Sequence, residues 1–283
     1  MLNMNKITKL IIVILALLLV TIGSCKKSSD NAANGGNQPQ PSHPTGTING
    51  LFSVSDSTMI YFSKGNLQYR ASNNTWRFAE NQWDTIGFDN SNISDDYNGW
   101  IDMFGWGTGN NPTLSSGGDH DYPTYSEWGD NSISNGANSS WRTMTGAEWT
   151  YLFKQRATNS GLRFAKATID GINGVILLPD DWTSEYFILN NTNTTGGDFA
   201  LNTISKSEWN KSLEPHGAVF LPAGGFRFVN LIQSVNVVGC YWTSTPYYDD
   251  FALYSFVGED GGNISIDGPR HCGLCVRLVC DFK

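Results

Sequence analysis

The chain has 283 residues, a formal net charge of −8 and 18 Lys and Arg against 26 Asp and Glu, so it lacks the basic footprint of a nucleic-acid binder. Ten Trp, eleven Tyr and fifteen Phe supply ample surface to bury and exclude a wholly disordered chain. Charged residues are sparse while Asn, Ser, Thr and Gly abound, a mixture suited to an exported, loop-rich protein.

At the N-terminus, Lys6 and Lys9 lead into the apolar run Leu10–Val20, followed by Thr21-Ile22-Gly23-Ser24-Cys25. A basic start, a short apolar core and small residues before a cut make a secretory signal peptide. The run is shorter than the ~20 apolar residues that span a bilayer, which disfavours a transmembrane anchor. Ile22-Gly23-Ser24-Cys25 also resembles a bacterial lipobox, whose cysteine is acylated and becomes the new N-terminus. Residues 1–24 are therefore expected to be removed, leaving Cys25 lipidated, for example with palmitate, and the chain membrane-bound outside the cytoplasm. Lys26 and Lys27 are not the aspartate that retains lipoproteins in the inner membrane. An outer-membrane lipoprotein is expected, facing the cell surface or the periplasm. Residues 25–46, polar and rich in Gly, Pro, Asn and Ser, read as a flexible tether, and 47–283 as the folded domain.

Within that domain, Thr58–Ser63, Leu67–Arg70 and Thr75–Phe78 read as short strands separated by Gly65-Asn66 and Asn73-Asn74, a meander of hairpins. Residues 84–140 read as a long irregular region pinned by buried Trp100, Trp106 and Trp128, since an unanchored loop of that length is improbable in a compact domain. Thr145-Gly-Ala-Glu148 is a capping box, with Trp149, Leu152 and Phe153 on one helical face. Ser205-Lys-Ser-Glu208 repeats the device before Trp209 and Leu213. Helices are expected near 145–156 and 205–213, each followed by a glycine-led apolar strand, Gly174–Leu178 and Gly217–Leu221. Tyr241–Ser244, Ala252–Phe256, Asn263–Ile266 and Cys275–Val279 alternate with turns. Two helices among short antiparallel strands and long loops mean α+β.

Four further cysteines, Cys240, Cys272, Cys275 and Cys280, lie near the C-terminus. Outside the cytoplasm they can pair in more than one way or remain buried thiols. Cys272-Gly-Leu-Cys275 has the spacing of a redox or zinc pair, but no second CxxC, paired His or βαβ context accompanies it. Hydrolase, metalloprotease, P-loop and dinucleotide fingerprints are absent. Asp95-Asp96 and Asp180-Asp181 read as turn residues, because adjacent carboxylates seldom converge on one bond as a glycosidase needs.

Trp141-Arg-Thr-Met-Thr-Gly-Ala-Glu-Trp149 resembles the helix start of the formylglycine-generating-enzyme branch of the C-type lectin fold. Gly239-Cys-Tyr-Trp-Thr-Ser-Thr245 and Gly273-Leu-Cys-Val-Arg-Leu-Val279 resemble motifs of a paralogous lipoprotein domain family from Bacteroidetes and Fibrobacter. The likeness runs from about Phe52 to Val279 and implies a C-type lectin-like domain with its N- and C-terminal strands close together. The enzyme branch binds copper through a cysteine pair separated by four residues. Cys275 and Cys280 have that spacing, but they sit in the final motif rather than before it, and the preceding G-N-V-W-E-W motif is absent. No catalytic residue, metal or cofactor is therefore expected. The calcium motifs of sugar-binding lectins have only faint echoes in Glu214-Pro215-His216 and Trp83-Asp84, and Asp119-His120-Asp121 reads as a solvated loop.

One subset of this branch, the variable proteins of diversity-generating retroelements, displays a diversified C-terminal segment as its binding surface. The matching segment here is Tyr247–Cys272. Adenine-directed change of AAC codons cannot yield Lys, Glu, Gln, Met or Trp, and of these the segment contains Glu259 alone. Its Tyr, Asp, Ser and Gly resemble an antibody paratope in chemistry. Leu253, Phe256, Ile264 and Ile266 are expected inside. Tyr247, Tyr248, Asp249, Asp250, Phe251, Asp260, Asp267 and His271 are expected to face a surface ligand, protein or glycan. A non-catalytic binding lipoprotein is the leading expectation, with an assembly lipoprotein of the outer membrane and a formylglycine-generating-type oxidase as alternatives.

Overall fold

Short strands here close on one another through residues far apart in sequence. The computed structural model describes residues 43–136, 140–258 and 261–283, and residues 43–283 form one compact unit. The expected signal peptide, the lipidation site Cys25 and the ligand candidate Asp260 lie outside the described residues. The last residues assigned to the tether already belong to the domain: Lys64 N donates to Gly46 O at 2.8 Å, and His43 Nδ1 meets Thr47 Oγ1 at 2.7 Å.

β1 (Phe52–Ser53), β2 (Met59–Phe62), β3 (Leu67–Arg70) and β4 (Thr75–Phe78) form two antiparallel hairpins. The last strand of the chain, β15 (Val279–Asp281), pairs antiparallel with β2, Val279 opposite Phe62, so the two ends of the domain meet in one sheet. β5 (Phe164–Ile169) and β6 (Ile172–Leu177) turn about Asp170 (φ 50°) and Gly171 (φ 83°), the left-handed pair that a tight hairpin requires. With β7 (Thr203–Ile204) and β8 (Val219–Pro222) they make the four-stranded sheet β7-β5-β6-β8. β9 (Phe226–Phe228), β10 (Leu231–Gln233) and β14 (Cys272–Gly273) make the three-stranded sheet β10-β9-β14. The long strands β11 (Val238–Tyr247), β12 (Phe251–Gly258) and β13 (Gly261–Pro269) make an antiparallel sheet of their own.

Both capping boxes are formed. Helix α1 (Gly146–Thr150) starts at Thr145 and continues as a π-helical turn over Tyr151–Gln155; α2 (Lys206–Glu208) starts at Ser205 and continues likewise over Trp209–Leu213. Trp149 (1 % exposed) packs with Phe62, Phe153 and Tyr241, and Trp209 (0 %) with Phe220. They belong to different core clusters, Trp149 to that of β2 and β6 and Trp209 to that behind β5 and β8.

Trp106 and Trp128 are buried anchors of the long irregular region, in a third cluster with Trp76, Trp141 and Trp242. Trp100 is not: it is half-buried, and Arg70 and Arg77 lie 4.3 and 3.8 Å from its ring centre. The wide π-face suits the guanidiniums better than the apolar core. Asp102, fully buried, holds the region from inside by accepting from Ile86 N at 2.9 Å and Asn90 Nδ2 at 2.8 Å.

Burial pushes the Asp102 carboxyl up from 3.8 to about 6. A carboxyl whose folded value is raised gives stability that is complete below about pH 4 and is lost as pH climbs through about 6. The loss is about 3 kcal/mol by neutral pH. Urea unfolding of wild type and Asp102→Asn across that window should show wild type losing ground as pH rises; a stability difference that does not vary with pH would contradict it.

One further expectation fails. Cys275–Val279 is not one strand: Leu274 and Cys275 make single bridges to Phe104 and Tyr241, and pairing resumes only at Val279. The segment runs extended between sheets, its carbonyls at Val276 and Leu278 accepting from Leu67 N and Ser63 N. The four C-terminal cysteines form no disulfide. Burial pushes the Cys240 thiol up to about 12 and that of Cys280 to about 11, and raises Cys275 as well. At neutral pH these thiols are held protonated, the weakly nucleophilic form. Cys275 and Cys280 also sit in different core clusters.

Candidate ligand-binding face

Strand pairing decides which side chains share the outer face of the C-terminal sheet. Tyr247 lies opposite Phe251, Leu253 opposite Asp267 and Phe251 opposite Pro269. Cross-strand partners point the same way and side chains alternate along each strand, so Tyr247, Phe251, Leu253, Ser265 and Asp267 occupy one face. Tyr254 and Ile266, half-buried, turn to the other, where Tyr254 packs edge-on to Trp242.

The tip of this sheet is the loop Tyr248–Asp250. Tyr248 is 79 % exposed with φ 52°, and Tyr247 is 38 % exposed. Their rings meet edge to face at 4.5 Å, and the hydrogen bond and charge of Tyr248 raise the Tyr247 phenol. Asp249, Asp250 and Asp267 are exposed and Phe251 is half-buried. The structure thus gathers six of the eight expected ligand residues at one end of the sheet.

His271 does not join them. It is 7 % exposed, with the Phe228 ring edge-on at 4.9 Å: β14 carries it under the β9–β10 hairpin, and tertiary packing overrides its polar character. Leu253, Phe256 and Ile266, expected inside, are only half-buried, whereas Ile264 is buried. A register shift between Tyr254 and Phe256 breaks the simple alternation.

Leu253 and Ser265 also line an open groove of about 480 Å³ with Gly146, Ala147, Thr150 and Tyr151 of the helix. The elements approach closely at Gly146: a Cβ there would stand 2.9 Å from Leu253 Cδ1 and 3.2 Å from Ser265 Oγ. Thr245 Oγ1 accepts from Gly146 N at 3.1 Å, fixing the helix start to the sheet.

Two buried cations hold the sheet at its ends. Arg270 donates from Nη2 to Tyr248 O at 2.9 Å, from Nε to Phe251 O at 3.1 Å and from Nη1 to Tyr122 O at 3.2 Å, stacked over Trp106 at 4.4 Å. Lys166 Nζ donates to Gly258 O at 2.7 Å at the opposite end. A third buried cation, Arg227, ties the β9–β10 turn to the irregular region through Val229 O, Ser115 Oγ and Met103 O. Among the described residues, the acceptors of the Arg270 guanidinium are main-chain carbonyls, so the loop is held without using the side chains it displays. None of the three cations stands out by sequence pattern, since a buried and an exposed arginine look alike in a polar stretch.

Elsewhere the candidate chemistry is occupied. Asp180 Oδ1 pairs with Arg156 Nη1 at 2.7 Å and its Oδ2 accepts from Ser53 N at 3.0 Å. Gln82 Nε2 donates to Glu214 Oε1, and Asn81 N to Asp84 Oδ2. In the 119–121 turn, His120 Nε2 lies 3.3 Å from Asp121 Oδ1 on exposed side chains. Among the described residues no group of three or more His, Cys, Asp or Glu is placed to hold a metal ion, and no helix is long and apolar enough to cross a membrane. Family models, curated proteins and solved structures give no match to this chain.

Proposed function

We propose that this protein is a non-catalytic, lipid-anchored envelope lipoprotein that binds a surface ligand through the tip of its C-terminal sheet. The observation that carries the reading is the main-chain clamp: Arg270 holds the loop bearing Tyr247, Tyr248, Asp249 and Asp250 by the carbonyls of Tyr248 and Phe251. Display is thereby separated from folding, the arrangement that lets a recognition loop change its side chains on a rigid scaffold. A C-type lectin-like architecture is part of the proposal. The antiparallel β2–β15 pairing of the domain's ends and the two capped helices support it, together with the motifs around Trp149, Trp242 and Arg277. Retroelement diversification of residues 247–272 is consistent with this separation, and a template copy beside a reverse-transcriptase gene is its genomic signature.

The reading is tested by replacing Tyr247, Tyr248, Asp249 and Asp250 with alanine together. The variant should unfold at the wild-type urea midpoint and lose binding to a glycan array or to biotinylated envelope and host-surface proteins, with hot-spot anchors contributing about 1–3 kcal/mol each. Unchanged binding across both panels would remove the tip as the site. The anchor is tested separately: Cys25→Ala should abolish palmitate labelling and shift the protein out of the membrane fraction, and an unaltered fractionation would contradict lipidation.

An assembly role has one observation in its favour. β10 is a sheet edge, and the cross-strand partners Phe228 and Leu231 on that hairpin are 46 % and 57 % exposed. Edge strands with apolar faces invite pairing with another chain. A stoichiometric envelope complex lost in Leu231→Lys, with the sheet tip intact, would favour this second reading.

A further inference from the structure

Between Arg227 and Arg270 the chain carries no Lys, Arg or His, and five acids. The flanking arginines are buried, with their guanidiniums on main-chain carbonyls and Ser115 Oγ, and present no cation at the surface. Asp249, Asp250 and Asp267 are exposed, and among the described residues none of them forms an ion pair. Beside them stand the exposed faces of Tyr247 and Tyr248. Behind them, the sheet face continues through Phe251 and Leu253 into the groove walled by Ala147 and Tyr151.

We infer that the partner of this face is a cationic protein segment, rich in lysine and arginine, laid across the sheet tip. The inference rests on the binding-face reading above and names its partner. Charge complementarity selects the occupant. Unpaired carboxylates attract ammonium and guanidinium groups and steer their approach. The tyrosine rings offer them π-faces, and a groove with an apolar wall accepts the methylene stems of long basic side chains. An uncharged glycan would offer hydroxyl donors to the three carboxylates but no compensating positive charge, so it gains less from them than an ammonium or guanidinium does, and an anionic glycan or nucleic acid would meet a field of its own sign.

The test uses the full chain in neutral detergent and three fluorescent probes: an alternating lysine–alanine peptide, its arginine–alanine counterpart and a serine–alanine control. Asp249→Asn/Asp250→Asn/Asp267→Asn should weaken both basic peptides at least about tenfold at low salt. Asp89→Asn/Asp181→Asn/Glu185→Gln, which removes the same charge from other exposed loops, should weaken them less than about twofold. Tyr247→Ser/Tyr248→Ser should also weaken both, by removing the π-faces while leaving net charge unchanged. Equal losses in the two acid variants would reduce the effect to general attraction by an acidic protein and overturn the inference. Basic peptides that bind no better than the serine–alanine control would overturn it too. If that happens while the four-residue alanine variant still abolishes binding in the glycan or surface-protein panel, the binding face stands and only its cationic partner falls. If neither panel responds to the tip, both fall.

Discussion

Replacing Trp149 with alanine is expected to lower the folding stability by about 3–5 kcal/mol, the range for truncating a large buried aromatic. The side chain is 1 % exposed and touches three rings from separate elements: Phe62 on β2, Phe153 one turn on and Tyr241 on β11. Phe153 in turn packs edge-on to Phe164 of β5 at 4.8 Å. A void there cannot be filled by one neighbour relaxing, because Phe62 and Tyr241 are held by different sheets and Phe153 by the helical turn, so the loss belongs near the upper end of the range. Trp209, likewise fully buried, packs edge-on to Phe220 and sits in a smaller cluster; Trp209→Ala should fall nearer the lower end. Urea midpoints at constant slope measure both, and a cost below about 1 kcal/mol for Trp149→Ala would contradict this packing.

The helix starts around these tryptophans are legible because everything that makes them is local. A Thr or Ser oxygen, a Glu three residues on and a Trp after it fit within one turn. The hairpin β5–β6 is equally local: Phe164–Ile169 runs into Asp170-Gly171, a strong turn signal, but Lys166 in mid-strand conceals a buried strand. That lysine is 3 % exposed, its ammonium received by the Gly258 and Thr195 carbonyls and the Phe199 ring, all of them far along the chain. The segment after β14 fails as a strand for the same reason. Its apolar run has the composition of a strand, yet its partners are scattered, Phe104 in the irregular region, Ser63 just past β2, Leu67 on β3 and Tyr241 on β11, and no local pattern records that. At the site, exposure of Tyr247 to Asp250 follows from turn chemistry. The burial of His271 is set by Phe228, a residue 43 positions earlier whose approach depends on the β9–β14 pairing.

Arg270→Met is expected to be the most informative change near the site. Methionine keeps the volume of the stem over Trp106 but supplies no donors, leaving Tyr122 O, Tyr248 O and Phe251 O without the three bonds they now accept. An acceptor stranded out of water costs about 1 kcal/mol or more. Since Tyr248 O and Phe251 O lie in or beside an exposed loop, water can reach part of that deficit, and a total near 2–4 kcal/mol is expected. The loss should be local in its dynamics. Amides of Tyr248–Ala252 should exchange faster with solvent, while those of β2 and β15 keep their protection relative to global stability. Binding at the tip should weaken although every displayed side chain is still present, because the ligand would then have to order a loop that Arg270 now holds ready. Arg270→Lys separates charge from geometry: a single ammonium can satisfy one or two of the three carbonyls but cannot lie flat on Trp106, so it should recover only part of the stability and of the binding. Equal behaviour of Met and wild type at the tip would mean that the loop orders itself, and the separation of display from anchoring would lose its physical basis.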